Sequence, residues 1–172
     1  GALGAQVRIS TDPTGTKANM FATIGPEGDG GIVLSGHSDV VPAEGQDWAS
    51  DPFAMAERDG HIYGRGACDM PGFLAAVLCL APRFAQRNLA RPLHIALTYD
   101  EETGCFGARA LAEELRKDGI RPAAAIIGEP TSMRIVEGHK GCFEYTTEFT
   151  GLNGHGSSPD KGVNAVGYAA RY

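Results

Sequence analysis

Side chains of the types that bind metal ions follow the ends of several apolar runs in the sequence. His37 and Asp39 follow the run at 31–35, and acidic residues follow the runs at 93–99 and 123–127. In open α/β sheets ligands bind at the carboxyl ends of the strands, so side chains from separate segments can meet there. The candidate set is His37, Asp39, Asp69, Asp100, Glu101, Glu102 and Glu129.

The chemistry of this set points to divalent metal ions. Crowded carboxylates repel one another unless positive charge lies between them. One histidine with several carboxylates suits an ion such as Zn, Co or Mn. Two ions about 3.5–4 Å apart can share a water, lower its pKa and hold both oxygens of a tetrahedral intermediate. A further carboxylate outside the coordination shell would then act as the general base.

Each of these residues also has an ordinary structural explanation. Asp39 and Asp100 could form turns or cap loops, and Asp69 could be the N-cap of a helix. Glu101 and Glu102 could be a solvated pair of charges. Capping alone does not explain ligand-type side chains at so many independent strand ends, so the pattern favours a metal site.

The segments that must position these residues predict an α/β fold with a mixed, largely parallel sheet flanked by helices. Pro71 is tolerated in the first turn of the first helix, and Pro82 should end or kink that helix. We predict strands at 6–10, 18–24, 31–35, 93–99 and 123–127, the last three of them buried. We also predict a hairpin at 54–63 and helices at 70–87 and 106–117.

The order of elements changes after Gly128. Two strands at 133–138 and 143–150 come without a helix between them, and a helix is predicted from near Gly162. We therefore place a domain boundary near 137–141, with one domain at 1–138 and a second, α+β region at 139–172. The chain ends at Tyr172 inside the last predicted helix, so we expect a piece truncated at its C-terminus.

Charge and composition argue against several classes of protein. The formal charge of −6 and the pI near 5.3 argue against a nucleic-acid binder, which needs a basic face. No apolar run in the sequence approaches membrane-spanning length, so we expect no membrane partner. The four cysteines show neither CxxC pairing nor disulfide spacing and favour free thiols in a reducing cytoplasm: Cys68, Cys79, Cys105 and Cys142.

Five motifs resemble, in order, those of the M20 metallopeptidase family. Together they span residues 35–165, and they imply a Zn-peptidase-like catalytic domain followed by the start of a lid or dimerisation domain. Pro71 stands where the family usually has Lys, so we expect an altered helix entry. The matches are 35–42 to GHxDVVP, 63–70 to GRGxxDM, 100–104 to DEExG, 128–131 to GEPT and 155–165 to HxSxPxxGxNA.

The resemblance implies a role for each matched residue. His37 and Glu129 would bind one metal ion, Glu102 would bind a second, and Asp69 would bridge the two. Glu101 would be the general base. Two divalent ions, Zn or Co, are the implied cofactors, and the second ion's histidine would come from a segment outside this sequence.

Further implied features concern the surroundings of the metals. Asp39 would orient His37 through the ring nitrogen that does not bind metal. His155, on the lid domain of a homodimer, would reach the partner subunit's site and stabilise the oxyanion. The peptide bond between Asp69 and Met70 is a candidate for the cis form.

A second set of stretches resembles acetylornithine deacetylases within that family: 45–53, 104–107 and 138–141. The implied reaction is hydrolysis of N2-acetylornithine to ornithine and acetate, a cytoplasmic step of arginine biosynthesis. His139 and Lys140 would either help to bind this N-acyl amino acid or face solvent. The alternatives are succinyl-diaminopimelate desuccinylase, another N-acyl-amino-acid hydrolase or dipeptidase, and a binding-only homologue; we expect the isolated piece to be inactive.

Overall fold

The structure, a computed structural model, describes residues 3–141, 143 and 145–172. The chain divides into two compact units, Gly1–Arg134 and Ile135–Tyr172. The first unit contains the sheet and its two long helices. The assignment of the second unit to a lid or dimerisation domain stays a prediction.

The first unit is built on a five-stranded mixed sheet. The elements of this unit are β1 Gln6–Thr11, β2 Ala18–Ile24, β3 Ile32–His37, β4 Ala56–Arg58, β5 His61–Tyr63, α1 Pro71–Ala85, β6 Leu93–Thr98, α2 Phe106–Lys117 and β7 Ala124–Ile127. The strand order of the sheet is β1-β2-β6-β3-β7, and a separate hairpin pairs β4 with β5. Both β1 and β6 are antiparallel to β2, whereas β3 is parallel to β6 and to β7, so only β2 runs against the other four.

Two apolar clusters show that the helices cover opposite faces of this sheet. Successive residues of a strand point to opposite faces, so neighbours on β6 belong to different clusters. One cluster joins β2 and β6 to α1 through Ala22, Ile24, Ile95, Val77 and Ala81. The other joins β2, β3 and β6 to α2 through Phe21, Val33, Ala96 and Leu111. The predicted α/β fold with a mixed, largely parallel sheet flanked by helices is confirmed.

Helix α1 continues past Pro82, so this residue does not end the helix, whereas the alternative of a kink at Pro82 stays a prediction. The helix runs three residues further, to Ala85. Proline lacks an amide hydrogen but keeps its carbonyl, and the Gln86 amide donates to that Pro82 carbonyl at 3.2 Å. A proline in the last turn therefore costs one hydrogen bond without closing the helix at its own position.

The prediction that the strand at 123–127 is buried is wrong. All four residues of β7 are exposed, including Ile126 and Ile127. Strand β7 pairs with β3 on one side, and among the described residues no strand pairs with its other side. An apolar run becomes buried only when neighbouring elements cover it.

The strands predicted at 133–138 and 143–150 are absent from the described part of the chain. The only strand-type pairing in that part of the second unit is an isolated antiparallel bridge between Leu152 and Val163. A short strand pair without further strands or a helix to pack on is only marginally stable in water, which gives a physical reason why these two predicted strands are absent. A short 3-10 helix at Pro159–Lys161 precedes α3, Ala165–Ala169, which begins three residues after the predicted start.

Three of the four cysteines lie within the described residues. Cys68, Cys79 and Cys105 are free thiols, as predicted, and all three are exposed, whereas Cys142 lies outside the described residues. No helix within the described ranges is long and apolar enough to span a membrane.

Candidate metal centre

The cluster of ligand-type side chains is centred on His37, the last residue of β3. This ring is 1% exposed, and its Nε2 atom faces three carboxylates from three other segments. The distances from Nε2 are 3.2 Å to Asp69 Oδ1, 3.7 Å to Glu129 Oε1 and 3.8 Å to Glu101 Oε2. The carboxyl ends of β3, β6 and β7 therefore bring together side chains that lie far apart in sequence.

Close packing at two glycines brings α1 up to this edge of the sheet. A Cβ at Gly36 would lie 2.6 Å from Met70 Cε, and Met70 at the start of α1 is completely buried. A Cβ at Gly128 would lie 2.1 Å from Phe73 Cγ, also on α1. Because neither glycine has a side chain, the turn before α1 can carry Asp69 to the end of β3.

The turn that follows β6 supplies Glu101 and Glu102. The backbone amide of Glu102 donates to Asp39 Oδ2 at 3.0 Å, which ties this turn to the loop after β3. The Glu101 carbonyl accepts from the amides of Gly104 and Cys105 at 3.0 and 3.2 Å. These backbone bonds direct two adjacent acidic residues into the same crevice.

The tautomer of His37 follows from its second nitrogen. Nδ1 lies 2.8 Å from the backbone carbonyl of Asp39, and the Asp39 carboxylate is further away at 3.6 Å. A carbonyl oxygen only accepts hydrogen bonds, so the proton is on Nδ1 in this contact. Nε2 faces the carboxylates, and without an ion it is placed to donate a proton to Asp69 Oδ1 at 3.2 Å. A metal ion bound there would take the Nε2 lone pair in place of that proton.

The electrostatics show a surplus of negative charge. Burial alone would lower the pKa of His37, but the Asp39 carbonyl and the nearby carboxylates outweigh it and raise the pKa. The pKa of Glu129 is also raised, first by burial and then by the charge of Asp69 and its neighbours. A divalent cation among these groups would relieve both the repulsion and the cost of burial.

Two sets of three residues have the geometry of a metal-binding group. His37 belongs to both, once with Glu101 and Glu129 and once with Asp69 and Glu102. Within each set the ligand atoms lie within 4.8 Å of one another. Imidazole nitrogen with carboxylate oxygen is a donor set that suits Zn and similar ions, so the residues present fit a divalent metal.

Comparisons with known proteins agree with this geometry. Residues 33–168 match the family described as Peptidase family M20/M25/M40. The chain belongs to this family.

Solved structures of similar fold include several peptidases. Human carnosine dipeptidase 1 is 27% identical with a TM-score of 0.62, over 73% of this chain and 29% of that chain. The M20 family metallo-carboxypeptidase Sso-CP2 from Sulfolobus solfataricus is 23% identical with a TM-score of 0.59, over 74% and 29%. The dipeptidase Dug1p from Saccharomyces cerevisiae is 19% identical with a TM-score of 0.56, over 73% and 30%. The matched part of this M20 chain thus corresponds to less than one third of each relative.

The structure of the M20 chain bears on the capping roles that the sequence allowed for its acidic residues. The N-cap of α1 is Met70, without a side-chain capping bond, so Asp69 does not cap the helix. Asp39 does accept a loop amide, as a loop cap would. Glu101 lies as close to His37 as Glu129 does, so its assignment as general base rather than metal ligand stays a prediction.

Three predicted site residues lie in the second unit. His139 Nδ1 lies 2.8 Å from the backbone carbonyl of Lys140, and His155 Nδ1 lies 2.9 Å from the hydroxyl of Ser157. All of these side chains are exposed. Their roles in binding substrate or stabilising the oxyanion stay predictions.

One feature of the first unit differs from its prediction, and one contact there was not predicted. The peptide bond between Asp69 and Met70 is trans, the usual form for a bond without proline, and none of the described peptide bonds is cis. Asp100, expected to form a turn, also accepts hydrogen bonds from Lys17. Nothing in the sequence near Lys17 signals that contact, because the two residues are 83 positions apart.

Proposed function

We propose that the whole protein is a metal-dependent hydrolase that cleaves the amide bond of small N-acyl amino acids, with two divalent ions, Zn or Co, as cofactors. The observation that carries the proposal is the meeting of His37 Nε2 with the carboxylates of Asp69, Glu101 and Glu129 within 3.8 Å. Membership of the M20/M25/M40 family supports the reaction class.

His37, Asp69, Glu102 and Glu129 would hold the ions. Bound ions would polarise the amide carbonyl and lower the pKa of a bound water. Glu101 would take the proton from the attacking water as the C–O bond forms and then pass it to the nitrogen of the leaving amine, after which the C–N bond breaks. The Asp39 carbonyl would hold the His37 proton on Nδ1, so that Nε2 could bind an ion.

The substrate we favour is N2-acetylornithine, which would be cleaved to ornithine and acetate in arginine biosynthesis. The support is the likeness of stretches 45–53, 104–107 and 138–141 to those of acetylornithine deacetylases. His139 and Lys140 would then contact the substrate, and His155 would act across a homodimer. A cytoplasmic location goes with this function.

A dipeptidase is the second candidate. Two of the solved structures of similar fold, carnosine dipeptidase 1 and Dug1p, are described as dipeptidases. A succinyl-diaminopimelate desuccinylase would use the same cluster, because all of these substrates present an amide bond beside a carboxylate.

The test is a substrate panel on the full-length protein. N2-acetylornithine, N-succinyl-diaminopimelate, a set of other N-acyl amino acids and a set of dipeptides would be assayed after chelation and again after adding back Zn or Co. Metal-dependent release of ornithine, in clear preference to the other products, supports the deacetylase. Preference for a dipeptide or a succinyl substrate keeps the reaction class and replaces the substrate.

A matched inactive variant makes the panel decisive. Glu101→Ala, purified in the same way, measures the background rate of hydrolysis by contaminating enzymes. The wild-type rate must exceed this background. If metal-loaded wild-type protein hydrolyses no member of the panel, the hydrolase proposal is wrong, and a binding-only homologue takes its place.

A further inference from the structure

The side chain of Lys17 reaches the turn that carries two of the acidic site residues. Lys17 immediately precedes β2, and its Nζ atom lies 2.8 and 2.6 Å from the two carboxylate oxygens of Asp100. Asp100 is the residue directly before Glu101 and Glu102, and its side chain is 19% exposed. The ion pair therefore joins the β1–β2 hairpin to the start of the acidic turn.

The backbone at Asp100 is in a conformation that needs support. Its φ of 55° lies in the left-handed region, where residues other than glycine are uncommon. The Asp100 carbonyl accepts from the Phe106 amide at 3.2 Å, which closes the turn towards α2. With both ends of Asp100 held, the next two residues leave the turn in a defined direction.

Lys17 is itself held in place by the hairpin turn. Asp12 Oδ1 accepts from the backbone amides of Thr16 and Lys17, each at 2.9 Å. The Asp12 amide in turn donates to the Lys17 carbonyl at 2.9 Å. The Thr14 hydroxyl and these amides lower the pKa of Asp12 to about 2, so its carboxylate is ionised at neutral pH.

We propose that Lys17 is a positioning residue of the metal centre. It holds the Asp100 carboxylate and, through it, the turn that directs Glu101 and Glu102. Without Lys17 the left-handed turn at Asp100 relaxes and the two glutamates lose their alignment. The negative charge left on Asp100 would by itself raise the affinity for a dication, so a fall in Zn affinity reports the misplaced side chains. The effect on turnover rests on the proposed hydrolase function, whereas the effect on metal affinity requires only the metal site.

The chain offers a matched control in a second ion pair of the same construction. Arg8, on β1, pairs with Asp118, which follows the last residue of α2. Both pairs join the β1–β2 hairpin to a residue flanking α2, but Asp100 lies before that helix and Asp118 after it. Loss of Arg8 removes this ion pair and the contact of the guanidinium with the Phe21 ring, both away from the acidic cluster, so it measures the effect of lost stability on Zn affinity.

The experiment compares Lys17→Met, Lys17→Arg and Arg8→Met in the full-length protein. After removal of metal, Zn affinity is measured by calorimetric titration, and turnover is measured with the substrate that the panel identifies. Residues that orient metal ligands typically change affinity or activity by about 10–100-fold when replaced. We expect Lys17→Met to lower Zn affinity and kcat about tenfold each, Lys17→Arg to restore both, and Arg8→Met to change neither.

A double variant tests the mechanism of the effect. In the Asp100→Asn background the carboxylate that Lys17 holds is gone, so Lys17→Met should lower Zn affinity by less than it does in the wild type. Unchanged or higher Zn affinity in Lys17→Met, or an equal loss in Arg8→Met, would overturn the inference. If the wild type turns over no substrate, the proposed function fails, but the Zn titrations still decide the role of Lys17.

Discussion

His37 and His94 are buried in the same sheet, but at opposite ends of its parallel strands. His37 ends β3, whereas His94 lies near the start of β6, paired with Val33 four residues earlier on β3. The two residues are 1% and 4% exposed. His37 faces carboxylates, whereas His94 accepts or donates one hydrogen bond with the Thr23 hydroxyl at 2.9 Å and stacks on Phe21.

These similar degrees of burial have opposite consequences. Burial lowers the pKa of His94, because the apolar surroundings disfavour the charged ring. At His37 the same effect of burial is outweighed by the Asp39 carbonyl and the surrounding negative charge, so the pKa rises. The neighbours of a buried histidine therefore decide whether it serves the core or a cation site.

The largest effect is expected at the carboxyl end of the strands, for Glu101→Ala. Loss of a general base typically costs about 10²–10⁴-fold in rate, so kcat should fall by orders of magnitude. Metal content, measured by elemental analysis, should stay nearly that of the wild type. If the variant loses metal instead, Glu101 is a ligand, as its place in one of the two metal-binding sets would also allow.

Replacing the two histidines should separate metal binding from stability. His37→Ala should lower Zn affinity by at least about 100-fold, because it removes the nitrogen ligand that both sets share. His94→Ala should leave Zn affinity unchanged and lower the free energy of unfolding by about 2–4 kcal/mol, because it leaves a cavity in the sheet. Calorimetric titration and urea unfolding measure the two quantities, and reduced Zn affinity in His94→Ala would undo the contrast.

The pH dependence of stability should differ in sign at the two histidines. The folded pKa of His94 is lowered, so its neutral ring favours folding at high pH, and stability falls as pH drops below about 6.5. The folded pKa of His37 is raised, so in metal-free protein its contribution is full below about 6.5 and is lost as pH rises.

Urea unfolding of metal-free protein between pH 5 and 8 tests these signs. His94→Phe, which keeps an aromatic ring beside Phe21, should gain stability relative to the wild type as pH falls, by at most about 1.4 kcal/mol per pH unit. His37→Phe should lose stability relative to the wild type over the same fall in pH. Parallel curves for wild type and His94→Phe would show that His94 does not titrate differently on folding.

The smallest effect is expected from Thr23→Val, which removes the hydrogen-bond partner of His94 while keeping a similar shape. One buried hydrogen bond contributes about 1 kcal/mol, so the free energy of unfolding should fall by roughly that amount. Zn affinity should not change. Ser38→Ala is the matched control at the other end of the strands, because it also removes one hydrogen bond, the one that the Ser38 hydroxyl donates to the Thr98 carbonyl. A change in Zn affinity in Thr23→Val would mean that the two ends are coupled.

Much of the fold could be predicted where local pattern and tertiary structure agree. Helix α2 begins and ends where its amphipathic pattern predicted, at Phe106 and Lys117, and β2 also has its predicted bounds. The hairpin predicted at 54–63 is formed by β4 and β5, with Asp59 and Gly60 between the two strands. These elements depend on periodicity and turn residues within about ten positions, which a sequence displays directly.

Prediction failed where an element depends on a partner. Strand β7 has the apolar character of a buried strand, yet Ile126 and Ile127 are exposed, and among the described residues only β3 pairs with this strand. The run at 143–150 has the composition of a strand, but a strand without a stable partner has nothing to satisfy its backbone. Both errors come from inferring burial and pairing from composition.

The sequence alone determined most local elements of the first unit, the residue types of the candidate site and, through its motifs, the family. Tertiary structure decided that His37 Nδ1 lies closer to the Asp39 carbonyl than to the Asp39 carboxylate. It also decided that the pKa of His37 is raised while that of His94 is lowered, and that Lys17 pairs with Asp100. The physical reason is that hydrogen bonding and electrostatics depend on distances between atoms. Those distances are set by strand register and packing between segments, which no local pattern of residues contains.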